Sequence, residues 1–134
     1  MEHAINWPAI LVSALAFFAL GAVWYSALFG KAWMAAVGIP KERIEQSSAV
    51  RAFIGTGIAA IVMAYVMSYL LDYSNGHDVK GGLIAGFFTW LGFVGTTFTI
   101  QYLFERRNLK LWLINNGYHL VGLLLMGVIQ GAWR

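Results

Sequence analysis

The sequence contains no cysteine in 134 residues. That removes disulfides, thiol redox chemistry, iron–sulfur clusters and thiolate metal sites from consideration. Charge is scarce as well: Asp, Glu, Lys and Arg make up 11% of the chain, against roughly 25% in ordinary soluble domains. No basic arm or RNA-binding signature is present, so no nucleic-acid partner is expected, and the formal net charge of +3 is better assigned to loops beside a membrane. The start, Met1-Glu2-His3, lacks the basic region of a secretory signal. The apolar run after it is too long for a signal core and is read as a retained first helix.

What remains is hydrophobic. Sixty per cent of residues are apolar, and they gather in long, nearly uncharged segments without the polar stripe of a soluble helix. The fold class expected is an all-α membrane protein, a single domain over 1–134 with four transmembrane helices in an antiparallel bundle. The helices are placed at about 6–29, 51–71, 79–102 and 110–133. A helix of about 23 residues rises roughly 35 Å, enough to cross the hydrocarbon core. Trp7, Trp33, Trp112 and Trp133 stand near the ends of these segments, where tryptophan anchors a helix at the membrane interface.

Within the first segment Asn6, Ala9, Ser13 and Ala16 share one face and suggest a helix contact. The connection from about Gly30 to Val50 reads as a solvated linker. Pro40 starts a short helical turn in it, and Ser47 or Ser48 caps the next helix. Small residues allow close backbone approach in a bilayer, where the hydrophobic effect does not drive association. Gly57, Ala60, Ala64 and Ser68 form such a stripe in the second segment, and Gly92 lies on a small face of the third. Gly127 and Gly131 carry the Gly-x-x-x-Gly spacing in the fourth, and Gly82 and Gly86 repeat it in the third. The turn Asp72–Asp78 is rich in turn formers. Asp72, His77 and Asp78 lack a further ligand at helical spacing, so no metal is expected there.

Lysine and arginine set the orientation. Lys31, Lys41, Arg43, Arg51, Arg106, Arg107 and Lys110 fall on one side, and Lys80 and Arg134 on the other. The first side is therefore read as cytoplasmic and both termini as non-cytoplasmic. The location is a multi-pass protein of the cell membrane, the inner membrane in a Gram-negative host, since outer-membrane proteins are barrels. The partner expected is the lipid bilayer.

Gly21-Ala22-Val23-Trp24-Tyr25-Ser26 and Phe29-Gly30-Lys31-Ala32-Trp33-Met34, with Tyr102-Leu103-Phe104-Glu105-Arg106-Arg107, Lys110-Leu111-Trp112-Leu113-Ile114-Asn115 and Gly117-Tyr118-His119-Leu120, resemble the small membrane proteins grouped as DUF1761. The terminal Met126-Gly127 and Gly131-Ala132-Trp133 continue the pattern, which spans nearly the whole chain. Ala27 stands where proline is expected after Tyr-Ser. The resemblance implies an integral membrane protein and supplies no activity, substrate or cofactor.

Polar side chains inside a bilayer usually face the bundle and often mark function. Asn115, Asn116 and His119 cluster on one side of the fourth segment, with His119 the one ionisable group placed well inside. Thr89, Thr96 and Thr99 on the third segment are its expected neighbours. A charged imidazole is costly there, so His119 is read as neutral and hydrogen-bonded. No second intramembrane histidine exists to complete a bis-histidine haem site, and no cofactor is expected. No Asp or Glu is expected inside any of the four helices and no serine sits in a nucleophile motif, so catalysis finds little support. Two readings stand. The favoured one is a structural or interaction bundle that self-associates as a homo-oligomer, its polar cluster fixing helix register. The alternative is a small oligomeric transporter, channel or ligand-binding bundle with a polar site around His119, its small-molecule ligand unidentified.

Overall fold

The computed structural model describes residues 5–40, 42–43 and 49–133. The expected caps Ser47 and Ser48 lie outside the described residues. Helix α1 (Trp7–Val23) begins where Asn6 Oδ1 accepts the Ala9 amide at 3.2 Å, with Pro8 in the first turn, where its missing N–H costs nothing. At Trp24–Leu28 the helix widens into a π turn, closed by the Phe29 amide donating to Trp24 O at 2.8 Å. Ala27 does not keep this stretch regular: the break expected of a proline is made by the π turn instead.

After Phe29 the chain is helical again. Helix α2 (Gly30–Val37) occupies the start of what reads from sequence as a linker, a correction to the reading of Gly30 to Val50 as a solvated connection. It stops at Gly38, whose φ of 72° is the left-handed conformation that glycine adopts without a Cβ penalty. Glu42 and Arg43 form part of a further helical turn, the Arg43 amide bonding Pro40 O at 3.0 Å.

Helix α3 (Ala49–Tyr73) extends two residues beyond its expected bounds at each end and takes Asp72 into its last turn. Helix α4 (Val79–Thr89) is capped by Asp78, whose Oδ1 accepts the Gly81 amide at 2.7 Å. A second π turn (Trp90–Gly95) joins it to α5 (Thr96–Glu105), which ends on Arg106 at φ 55°. Asn108 then caps α6 (Leu109–Ala132), accepting the Leu111 amide at 2.8 Å.

Four stretches are long and apolar enough to cross a membrane: Trp7–Leu28, Val50–Tyr73, Val79–Glu105 and Leu109–Ala132. They are called here the first to fourth long helices. The fourth is the most enclosed and packs on the other three; the third is the least covered. The core comprises Ile10, Ala14 and Phe17 from the first, Ala60, Ala64, Met67 and Leu71 from the second, and Tyr118, Leu123 and Met126 from the fourth.

Glycine makes the tightest contact. A Cβ on Gly82 would lie 1.9 Å from Gly127 O, and one on Gly127 would lie 2.0 Å from Gly82 O. One turn away on each side, Gly86 meets Leu123 O and Gly131 meets Asp78 O. Backbone touches backbone along this seam, as small residues permit between membrane helices. Gly127 and Gly131 each meet backbone in this seam, and Ala60 and Ala64 are buried. Gly57 and Gly92 do not: a Cβ on either meets nothing within 4 Å. Gly57 shares the buried face of Ala60 and Ala64 but lies where no other helix comes within reach, and Gly92 is exposed.

A buried polar link ties three helices at the opposite end from α2. The Gln130 amide nitrogen donates to Ser13 Oγ at 3.0 Å and to Ala64 O at 2.9 Å. Ser13 Oγ in turn bonds Ile10 O at 3.0 Å. Nearby, Asn6 Nδ2 donates to Trp133 O at 2.9 Å. In an apolar surround such a bond is strongly directional, and each partner fixes the rotation of the others.

Candidate functional site

The polar cluster of the fourth long helix divides into three unlike residues. Asn115 is half-buried, and its Oδ1 accepts the Tyr25 hydroxyl at 2.7 Å. Asn116 is 2% exposed, and its Oδ1 has no hydrogen-bond partner among the described residues. His119, one turn further on, has a buried Nδ1 that is likewise unpartnered. Its ring lies at 5.0 Å and 16° from Phe98 and at 6.2 Å and 29° from Phe17. Stacked between two aromatic rings, His119 is half-buried and makes no hydrogen bond among the described residues, where one was expected of it.

The threonines are not its partners. Thr89 Oγ1 donates to Ala85 O at 2.7 Å, and Thr96 Oγ1 to Gly92 O at 2.9 Å. Thr97 bonds Phe93 O and Thr99 bonds Gly95 O in the same way. A threonine hydroxyl in a helix reaches the carbonyl four residues back at little conformational cost, and in an apolar medium that bond is rarely given up. The structure therefore brings Asn115 and Asn116 together and leaves Thr89 and Thr96 apart from them.

Two tryptophans hold this stretch of helix from either side. Trp24 Nε1 donates to Ile114 O at 2.9 Å, and Trp90 Nε1 to Asn116 O at 3.1 Å. Each stands at the start of a π turn. A π turn adds a residue to the turn and shifts the helix face, a device common at functional sites. Here it aims both indoles at carbonyls flanking Asn115. Tyr118 adds a third clasp, its hydroxyl bonding Phe17 O at 3.0 Å.

Asn115 and Asn116 line the inner end of a cavity of about 550 Å³ between α2, α5 and α6. Trp33, Phe98 and Trp112 supply aromatic walls from three different helices, with Val37 and Leu111 between them. Thr97 and Gln101 add polar groups along α5. The exposed end carries Tyr102, Glu105 and Arg107, the last two paired at 3.8 Å. Rise per residue puts Asn116 about 10 Å from the start of α6. The size falls within the range of small-molecule sites.

Helix α2 is held over this space from its far end. Arg107 Nη1 donates to Val37 O at 3.0 Å, and Asn108 Nδ2 to Ala36 O at 2.8 Å. These are carbonyls that the end of a helix leaves unsatisfied. On the other side Trp112 Nε1 donates to Thr99 Oγ1 at 3.0 Å, turning the indole along the wall. Trp33 and Trp112 thus shape a cavity. Trp7 and Trp133 stay half in the open near the opposite end, where Trp7 stacks on Tyr65 at 5.8 Å.

Trp33, Tyr102, Glu105, Arg107, Leu111, Trp112 and Asn115 of the cavity lining fall in segments that carried the resemblance in the sequence, and Val37, Thr97, Phe98, Gln101 and Asn116 fall outside them. A family model described as "Protein of unknown function (DUF1761)" matches residues 8–131. The chain belongs to the DUF1761 family. No curated protein and no solved structure matches it. Membership of DUF1761 brings no activity, so what its cavity does must come from the residues. Among the described residues, no three His, Asp or Glu side chains converge as a metal site would need. Asp78 is engaged as the cap of α4.

Two features of the site were not read from sequence. Helix α2 was taken for linker, so Trp33 was placed as an anchor and not as a wall. Gln101 stands on the third long helix among bulky residues and was passed over; as a polar side chain within an apolar run it was the available signal.

Proposed function

We propose that this DUF1761 chain is a multi-pass protein of the cell membrane that binds a small molecule in the cavity beside Asn115 and Asn116. Its four long helices form an antiparallel bundle with the two basic loops cytoplasmic and both termini outside. Pairing of Asp78, Gly82 and Gly86 with Gly131, Gly127 and Leu123 supports that arrangement, since positions rise on one helix as they fall on its neighbour. The charge asymmetry supports the orientation. The cavity then opens towards the cytoplasmic interface, within reach of molecules dissolved in the membrane.

One observation carries the binding reading: Trp33, Phe98 and Trp112, from three helices, line with Asn115 and Asn116 a cavity of about 550 Å³. A bundle serving register alone is supplied with clasps elsewhere, by Trp24, Trp90, Tyr118 and Gln130. His119 belongs with those packing groups, and the site centres on the asparagines.

The test is native mass spectrometry of the protein released gently from membranes. The parent is expected to carry a small molecule. A Val37→Trp, Thr97→Trp double variant, which fills the cavity from opposite walls, should carry none while keeping the parent's unfolding temperature. Equal occupancy of parent and filled variant, or none in either, contradicts the reading.

Self-association is a second proposal. It is favoured by the third long helix, of whose most apolar window only 11% is buried within one copy. A second copy packed on that helix would place α5, one wall of the cavity, at the interface.

A further inference from the structure

We infer, on the binding reading above, that the ligand is an acidic glycerophospholipid of the surrounding bilayer. Its phosphate lies at the turn between Arg106 and Lys110, its glycerol esters lie in the cavity, and its acyl chains leave along α5.

Depth is the first ground. Glu105 ends a stretch of membrane-spanning length and stands at the exposed end of the lining. From there the lining runs along α5 to Thr97, about 12 Å by rise per residue. The polar layer of one leaflet is roughly 5–7 Å deep. The cavity therefore starts among headgroups and ends beside the first methylenes of the chains. Trp33 and Trp112 stand in its walls, at the depth that tryptophan favours.

Access is the second. Thr97, Phe98 and Gln101 line the cavity and are nonetheless exposed, so its α5 side is open. The third long helix, to which α5 belongs, is the least covered of the four. A space of about 550 Å³ that opens along a membrane helix takes the polar part of a two-chain lipid and lets the chains go to the bilayer. A compact soluble ligand there would turn one flank to hydrocarbon.

Polarity is the third. Ester carbonyls only accept hydrogen bonds, and out of water they need donors. Gln101 makes no hydrogen bond among the described residues. Tyr25 donates to Asn115 Oδ1, which leaves the Asn115 amide nitrogen to give. Gln101 lies about 6 Å above Glu105 along α5, and Asn115 about 9 Å from the start of α6. Two donors at staggered depths match the two staggered esters of one glycerol.

Charge is the fourth. Arg106, Arg107 and Lys110 are exposed in one turn of chain, with Glu105 the acid beside them. Glu105 meets Arg107 at 3.8 Å with both side chains about half exposed, a pair that holds little. Arg106 and Lys110 make no ion pair among the described residues. Three cations against one carboxylate favour a headgroup of net negative charge over a zwitterion, whose ammonium they repel.

The experiment is native mass spectrometry of the delipidated full chain in detergent, titrated with phosphatidylglycerol and with phosphatidylcholine of the same chains. One phosphatidylglycerol per chain should be retained, tighter than phosphatidylcholine by about fivefold or more, the worth of one cation beside an acidic headgroup. Arg106→Gln with Lys110→Gln should weaken phosphatidylglycerol by about 5- to 25-fold and leave phosphatidylcholine nearly unchanged. Both positions are exposed, and an unaltered unfolding temperature shows that the variant is folded. Gln101→Leu should bring phosphatidylglycerol down to the affinity of its ether-linked analogue, which lacks the carbonyls, and leave that analogue unchanged. Glycerol 3-phosphate should not compete. Phosphatidylcholine held as tightly as phosphatidylglycerol overturns the inference, and so does competition by glycerol 3-phosphate, which would mark a soluble phosphate ester as the ligand. After either result the cavity reading still stands if the Val37→Trp, Thr97→Trp variant loses the molecule that the parent brings from membranes. Phosphatidylglycerol bound equally by parent and filled variant also overturns the inference, since the lipid then sits outside the cavity.

Discussion

Alanine at position 82 is expected to force the third and fourth long helices apart. The added Cβ would sit 1.9 Å from Gly127 O and 2.4 Å from its carbonyl carbon. Carbon and oxygen come to rest at about 3.3 Å or more, so the helices must separate by about 1.4 Å at that point. No side chain can rotate away, because the obstacle is backbone. Overpacking of this kind costs about 1–3 kcal/mol. The helix propensity of alanine over glycine returns about 1 kcal/mol, leaving a net loss of up to roughly 2 kcal/mol. Gly57 and Gly92 provide the control, since a Cβ at either meets nothing within 4 Å. There the propensity gain stands unopposed, and Gly57→Ala and Gly92→Ala should be neutral or slightly stabilising. Reversible unfolding in mixed micelles, followed by circular dichroism against the fraction of denaturing detergent, reads all three. If Gly82→Ala proves as stable as Gly57→Ala, the backbone-to-backbone seam is wrong.

Other substitutions probe the clasps and the topology. Gln130→Leu keeps the volume and removes both bonds to Ser13 and Ala64; it should cost about 0.6–1.7 kcal/mol, the span for hydrogen bonds between membrane helices, and an unchanged unfolding midpoint would show that the link is idle. Trp24→Phe and Trp90→Phe each remove one indole bond to the α6 backbone; each should lose about 0.5–1.5 kcal/mol in the same unfolding assay. Because the chain has no cysteine, single thiols report sidedness directly. With the proposed orientation, Asn75→Cys should react with an impermeant reagent on intact cells and Gly38→Cys only after permeabilisation. Self-association through the third long helix predicts that Phe93→Cys, which is well exposed, forms a disulfide-linked dimer in membranes more readily than Phe53→Cys on the second.

The four apolar runs were legible because hydropathy alone marks a helix of spanning length, whereas the caps Asn6, Asp78 and Asn108 were not singled out although asparagine and aspartate are favoured there. The π turns were not legible. They depend on a bond five residues back, chosen by where Trp24 and Trp90 find carbonyls on another helix, and no local pattern announces that. Helix α2 was lost for a related reason: its residues are ordinary helix formers, and only the carbonyls held by Arg107 and Asn108 show it as a docked element. Glycine spacing misled in part. Gly57, Gly92, Gly127 and Gly131 look alike as sequence, yet only the last two meet a neighbour: Gly92 is exposed, and Gly57, on the buried face of Ala60 and Ala64, lies where no other helix reaches. At the site, the segment Asn115–His119 was visible as polar residues in an apolar run. The distinction between a stacked histidine and an unpartnered asparagine required the positions of Phe17, Phe98 and Tyr25, which lie far away along the chain.

The central claim is that the inner end of the α2–α5–α6 cavity is open to small molecules. It is tested most directly by placing the chain's sole thiol there, as Asn115→Cys, and measuring its modification in native membranes by a small methanethiosulfonate reagent. The account predicts modification, slowed at least tenfold by the cavity-filling pair Val37→Trp and Thr97→Trp. A thiol at position 115 that never reacts, or that reacts equally fast with the cavity filled, would contradict it.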